Sequence, residues 1–287
     1  MITSAESKLK ELLESIEGLL SRMGVMYRIF GRVKDPISLR KKLSRDDRYG
    51  NGKLLQDYIG IRVVLYFPDD IDIVHRALSS FYREREKDQS IDSINDSTFK
   101  PVRYNLVYEI PGDIILSGIK DFEGKIDNTF ELQIRTVLSE GWHEVEHDLR
   151  YKCGSDWEGF PTESRKLNGV YASLETNEWT MIKIFDEIAY GHYKNCNWES
   201  MLRQKLRLRL TKDSLDKEII DILNECPSLA KKFFRVDRSA LMDALNQYGY
   251  GYPVNLNNLV YFSNLFFIGD EKILSLTPDL LKEYKKD

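Results

Sequence analysis

Two carboxylates and a dense run of cations are the residues here whose types and spacing could do chemistry. Between Arg32 and Arg48 lie Arg32, Lys34, Arg40, Lys41, Lys42, Arg45 and Arg48, against three acids, Asp35, Asp46 and Asp47. Strand side chains repeat every two residues, so Arg32 and Lys34 are expected to leave a strand end on the same side. The helix that follows presents its N-terminus and Ser38 nearby. Cations converging on a strand end and a helix N-terminus suit a polyphosphate. The plainer alternative is a solvated basic helix face.

The carboxylates are Asp57, in Asp57-Tyr-Ile-Gly60-Ile-Arg62, and Glu131, in Glu131-Leu-Gln133-Ile-Arg135-Thr136. On a strand Glu131, Gln133 and Arg135 share one face, and Leu132 and Ile134 take the other. Three polar residues facing one way require either a polar cleft or a solvated edge. Two carboxylates facing a basic pocket suit Mg²⁺ with a nucleotide. That ion keeps waters and takes one or two carboxylates plus phosphate oxygens. One carboxylate could also accept a proton from an attacking hydroxyl.

A third constellation, His143-Glu144-Val145-Glu146-His147, matches the zinc-protease pattern H-E-x-x-H. Glu146, Asp148 and Arg150 crowd the same turn, and the only later histidine is His192. No distinct third ligand is evident for such a site.

Several elements must position these residues. Leu9, Leu12, Leu13, Ile16, Leu19, Leu20 and Met23 recur at steps of three and four, which predicts an amphipathic helix over 4–24. Residues 26–30 read as a short strand. A helix capped by Asp35, with Pro36 in its first turn, runs to about Arg45. Residues 59–67 are β-branched and aromatic and read as a buried strand. A helix follows from Pro68 to about Arg83, then a polar loop over 84–98. Strands are expected at 102–110 and 129–135, and helices at 137–151 and 164–193. This order implies an α/β fold with a mixed sheet. Beyond about 197 the chain reads as helices, with turns at Pro227, Gly249–Gly251 and Gly269.

Four segments together resemble the successive signatures of RelA/SpoT-type synthetase domains. They are Arg32-x-Lys34-x-x-x-Ser38, Asp57-x-x-Gly60-x-Arg62, Glu131-x-Gln133-Ile-Arg135-Thr136 and Glu146-His147-x-x-x-Tyr151-Lys152. The resemblance covers about residues 20–155 and makes the H-E-x-x-H match a coincidence. It implies a nucleotidyltransferase-like mixed sheet flanked by helices, and a pyrophosphokinase that makes (p)ppGpp. The β,γ-pyrophosphate of ATP would pass to the ribose 3′-OH of GDP or GTP. Arg32, Lys34, Ser38, Lys41, Lys42 and Arg62 would bind ATP, with Arg32 and Lys34 also serving the transfer. Asp57 and Glu131 would hold Mg²⁺, and Glu131 would help deprotonate the acceptor. Gln133, Arg135, His147 and Lys152 would serve the acceptor site.

The family's acceptor loop, G-Y-x-S-x-H, is altered here to Thr98-Phe99-Lys100-Pro101-Val102-Arg103. Phe99 keeps an aromatic ring for stacking, and Lys100 and Arg103 supply cations. This leaves three readings open: a guanine nucleotide acceptor, a toxin acting on the tRNA 3′ end, or a nucleotide-binding sensor without transfer.

Composition bounds these readings. The 287 residues hold 42 Lys plus Arg and 46 Asp plus Glu, a net charge of −4. That excludes a globally basic nucleic-acid coat but not a local phosphate pocket. No apolar run approaches the ~18 residues of a membrane span. Cys153, Cys196 and Cys226 have no metal-like spacing and read as reduced thiols, so a cytoplasmic protein is expected. The length divides into a synthetase domain over 1–195 and a helical extension over 196–287. The extension holds a second basic stretch, Arg203, Lys205, Arg207, Arg209 and Lys212, and many aromatics. It could form a helical core, a flap over the cleft, or a surface for a second copy or for an antitoxin or regulatory partner.

Overall fold

The computed structural model describes residues 4–92, 104–112, 122, 124–212, 214–248 and 250–285. The chain divides into two compact units. The first holds residues 1–17, 27–71 and 78–177, and the second holds 18–26, 72–77 and 178–287.

The first unit is built on a five-stranded sheet in the order β1-β2-β5-β4-β3. Its strands are β1 (Tyr27–Val33), β2 (Ile59–Leu65), β3 (Ser90–Ile91), β4 (Tyr104–Glu109) and β5 (Thr129–Thr136). The β2–β5 pair is parallel and the other three pairs are antiparallel, giving the expected mixed sheet. β3 lies inside the segment expected to be loop. Its two exposed residues carry no alternating pattern, so only pairing with β4 defines it. β1 runs three residues beyond the expected strand, and Lys34 N–H continues the ladder to the Tyr58 carbonyl at 2.8 Å.

One face of the sheet is apolar. Ile59, Ile61, Val63 and Leu65 of β2 lie beside Phe130, Leu132 and Ile134 of β5, with Leu106 and Tyr108 of β4, all buried. The Tyr108 and Phe130 rings sit 5.5 Å apart. Helix α1 (Ser4–Met23) lays Leu9 and Leu13 over Gly31 of β1. A Cβ on Gly31 would stand 2.6 Å from Leu9 Cδ1, so a larger residue there would have to displace the leucine side chains. Helix α2 (Pro36–Leu43) begins as expected: the Asp35 carboxylate accepts from the amides of Ile37 and Ser38. Helix α3 (Ile71–Phe81) follows a single turn at Pro68–Asp70.

After β5, Thr136 and Ser139 form a reciprocal cap that starts helix α4 (Val137–Glu146). The helix expected to continue to 151 changes to π winding over His147–Tyr151. Helix α5 (Pro161–Lys194) follows, and Trp142 of α4 packs on its Tyr171 with ring centres 5.0 Å apart. Trp142 Nε1 also donates to the Leu167 carbonyl at 3.0 Å, which fixes α4.

The second unit holds α6 (Trp198–Leu206), α7 (Lys217–Glu225), α8 (Pro227–Arg235), α9 (Arg238–Gln247), α10 (Leu256–Ser263), α11 (Glu271–Leu276) and α12 (Asp279–Lys282). This matches the helical C-terminal region expected from sequence. Met201, Ile219, Leu223, Ala230, Leu241, Met242, Leu256 and Ile273 form its core. No helix among the described residues is long and apolar enough to cross a membrane.

Candidate active site

The second face of the sheet is polar because β-register puts the polar alternates of three strands on one side. Arg32, Gly60 and Glu131 form one row across β1, β2 and β5. Phe30, Arg62, Gln133 and Asn105 form the next, and Arg28, Val64 and Arg135 the third. Over this face opens a cleft of about 770 Å³. Arg32, Asp57, Arg62, Glu131, Gln133, Arg135, His147 and Lys152 all line it, so the structure gathers eight of the predicted site residues. Gly60 leaves its floor bare between Arg32 and Glu131. A Cβ there would meet nothing closer than Arg32 Cγ, at 4.0 Å.

Asp57 closes the cleft's cationic side. Its Oδ2 accepts from both Lys34 Nζ and Lys42 Nζ, each at 2.6 Å. Burial pushes this carboxyl up, but the two lysines outweigh it and hold the pKa below the usual value. Its Oδ1 is buried and has no hydrogen-bond partner. Such an orphaned carboxylate oxygen, in a cleft that Glu131 also lines, fits a cation-binding position. Ser38 and Lys41 lie exposed on α2, outside the cleft lining.

Arg62 ties β2 to α4 and β5. Its Nη1 bonds Glu140 Oε1 at 2.6 Å and also Glu144 Oε1, while its Nε donates to Gln133 Oε1 at 3.1 Å. Gln133 Nε2 in turn donates to Glu131 Oε1 at 2.7 Å. Arg135 lies 3.4 Å from Glu140, and its buried Nε and Nη1 have no hydrogen-bond partner. Burial, with Arg62 nearby, lowers the Arg135 pKa.

The H-E-x-x-H segment divides between two environments. His143 is packed against Trp142 and Tyr171. Burial, then Arg135 and Arg62, push its pKa down to about 3. The ring is therefore neutral at ordinary pH. His147 falls in the π turn, where it stacks on Tyr151 at 5.7 Å and bonds Asp148. Among the described residues no three His, Cys, Asp or Glu are grouped to hold a metal ion.

Phe99, Lys100 and Arg103 lie outside the described residues. Phe30, Asn105, His143, Glu144, Glu146, Asp148 and Tyr151 line the cleft without having been assigned a site role from sequence. Two carried a usable signal. Phe30 is two residues before Arg32 on one strand and stays 53% exposed despite its ring. Tyr151 is 71% exposed and lies in the last quoted motif.

An α/β unit whose polar sheet face lines a cleft with three arginines, a lysine and the carboxylates Asp57 and Glu131 suits a polar, anionic ligand. Residues 31–156 match the family described as "Region found in RelA / SpoT proteins", the segment that carries the motif resemblance. GTP pyrophosphokinase YjbM of Bacillus subtilis (strain 168) is 30% identical over 127 residues, 43% of this chain. The match spans 56% of that relative's length. Among solved structures, small alarmone synthetase 1 from Bacillus subtilis is 23% identical with a TM-score of 0.49, covering 64% of this chain and 94% of that one. The same enzyme bound to its product pppGpp is 25% identical with a TM-score of 0.47, covering 64% and 93%.

Proposed function

We propose that the chain is an ATP-consuming pyrophosphokinase that transfers a pyrophosphoryl group to the 3′-hydroxyl of GDP or GTP. The observation that carries this reading is the polar sheet face, where Arg32, Gly60 and Glu131 share a row inside the segment that matches the RelA/SpoT family. The name of the Bacillus subtilis relative, a GTP pyrophosphokinase, supports a guanine acceptor.

Arg32 and Arg62 meet the ATP phosphates in the cleft, and Lys34 and Lys42 add positive charge beside Asp57. Ser38 and Lys41 extend this surface along α2. Asp57, through its orphaned Oδ1, and Glu131 are the residues that would hold Mg²⁺. When bound, the ion neutralises phosphate charge and polarises the phosphoryl group under attack. Glu131 also takes the acceptor proton. Gln133 orients Glu131, while Arg135, His147 and Lys152 face the acceptor's phosphates, and Phe99, Lys100 and Arg103 complete the acceptor side. The acceptor's 3′ oxygen bonds to the β-phosphorus, the bond from that phosphorus to the α–β bridging oxygen breaks, and AMP leaves. Such chemistry is mainly positioning and charge neutralisation, so no covalent nucleophile is needed.

Incubation of the purified chain with ATP, MgCl₂ and GDP or GTP is expected to yield AMP and a 3′-pyrophosphorylated guanine nucleotide. Label from the β,γ-phosphates of ATP appearing on tRNA instead would move the acceptor to the tRNA 3′ end. Nucleotide binding without AMP formation from any acceptor would leave a sensor.

A further inference from the structure

Phe30 is a phenyl ring on the polar face of the sheet, and packing in the core does not account for it. It takes the row with Arg62, Gln133 and Asn105. Leu9 and Leu13 of α1 cover the other face of β1, at Gly31. Phe30 lines the cleft and remains 53% exposed there. Its cross-strand partner Arg62 is turned to Glu140, Glu144 and Gln133. Among the described residues no other ring and no cation is set against Phe30. One face of an aromatic ring therefore stands open in a cleft whose other walls are largely charged.

An uncovered phenyl ring is unfavourable in water, and it offers a phosphate no donor. The part of a nucleotide that matches it is the base, which is flat, neutral and able to stack. The position of the ring says which base. Arg32 lies two residues along β1 on the same face, its Cα about 7 Å away, and Lys34 two residues beyond that. A triphosphate held at Arg32 and Lys34 thus has Phe30 at the next position of the same strand face, within reach of its nucleoside. Gln133 and Arg135, assigned to the acceptor, stand on β5, with β2 between them and this ring. We propose that Phe30 is the platform on which the adenine of ATP stacks. It selects a nucleotide over a bare polyphosphate as donor, and it takes no part in the reacting atoms. This inference rests on the nucleotide reading of the cleft.

The test uses the full chain, with ATP and inorganic tripolyphosphate as probes. Kd comes from calorimetry, and KM for ATP and for GTP from AMP release. Phe30→Ala removes an exposed ring, so the melting temperature is expected to hold. ATP binding should weaken and the ATP KM rise about five- to tenfold, the size of one lost base stack. Tripolyphosphate affinity and the GTP KM should stay close to wild type. Phe30→Trp keeps an aromatic face and should bind ATP at least as well as the wild-type chain. Phe30→Leu, apolar but without a ring, should resemble Phe30→Ala. Wild-type ATP affinity in Phe30→Ala or in Phe30→Leu overturns the stacking and leaves the nucleotide reading standing. Equal losses for ATP and tripolyphosphate, or equal rises in the two KM values, also overturn it, because the ring would then act on the phosphates or on the fold. Absence of ATP binding in the wild-type chain overturns both this inference and the nucleotide reading.

Discussion

Lys34 and Lys42 converge on Asp57 at the edge of an open cleft, whereas Lys205 and Arg207 converge on Asp186 in the helical unit, at 3.0 and 3.8 Å. The two basic runs look alike in the sequence. In the second unit Arg207 is buried at the left-handed end of α6, with φ 50°. Lys205 lies over the Phe234 ring, Lys212 pairs with Asp216, and Arg238 Nε donates to the Leu206 carbonyl. These cations are used within the fold, in ion pairs and on aromatic faces. In the first unit the cations meet a carboxylate with one oxygen still unpartnered and a floor kept bare by Gly60. A run of positive charge therefore suits a ligand only where the fold leaves it space and incomplete pairing.

Four experiments would break or sharpen this contrast. The largest expected effect belongs to Glu131→Gln, which removes a charge and nearly preserves shape. AMP release is expected to fall about 10²-fold or more, with the melting temperature unchanged. Full activity in this variant would dissolve the distinction between the runs.

Gly60→Leu comes next. The backbone there tolerates a Cβ, so the variant is expected to fold, while its side chain fills the cleft floor. ATP affinity should drop about tenfold or more, the size of one lost charged contact. Normal ATP binding by a folded Gly60→Leu protein would place the nucleotide elsewhere.

The third experiment uses pH. The half-buried His143 has a pKa near 3, below the ~6.5 of an unfolded histidine. The unfolded chain binds this proton first, so the stability is fully present above about pH 6.5 and falls steadily towards pH 3. At pH 5 the loss from this group is about 1–2 kcal/mol. His143→Phe, which keeps an aromatic ring, should flatten that part of the urea-unfolding profile between pH 7 and 5. Asp57 acts lower on the scale. Its depressed pKa means stability present above the unfolded value, around pH 4, and lost as pH falls through the folded one. Asp57→Asn should remove that acid-side step.

The smallest effect is expected from Asp186→Ala. Arg207 would lose a counter-ion near a buried position, costing about 1–2 kcal/mol of stability by thermal or urea unfolding. ATP affinity should not move. Weaker ATP binding in this variant would mean that the second basic run also serves the nucleotide.

Much of the cleft was legible because strand periodicity is rigid. The alternation Glu131, Gln133, Arg135 against Leu132, Ile134 assigned faces correctly, since consecutive strand residues must point opposite ways. Asp35 and Pro36 marked the start of α2 because capping is a local hydrogen-bonding requirement. Less local features were harder to read. β3 depends on a partner strand, and the π turn at His147–Tyr151 interrupts a pattern that reads as uninterrupted helix. Ser38 and Lys41 follow Arg32 in the same basic run, yet they lie exposed on α2, outside the cleft lining.

The sequence by itself determined the α/β order, the polar strand face, the helical C-terminal region and the RelA/SpoT motifs, because each follows from local spacing and residue type. Only the tertiary structure decided which charges are spent on one another. It joined Asp57 to Lys34 and Lys42, and Arg62 to Glu140 and Glu144 across more than 75 positions of chain. It also settled Lys205, Arg207 and Lys212 of the second basic run into internal pairs. Pairing of charges depends on distances through space, and those are fixed when the sheet register and the helix packing bring remote segments together.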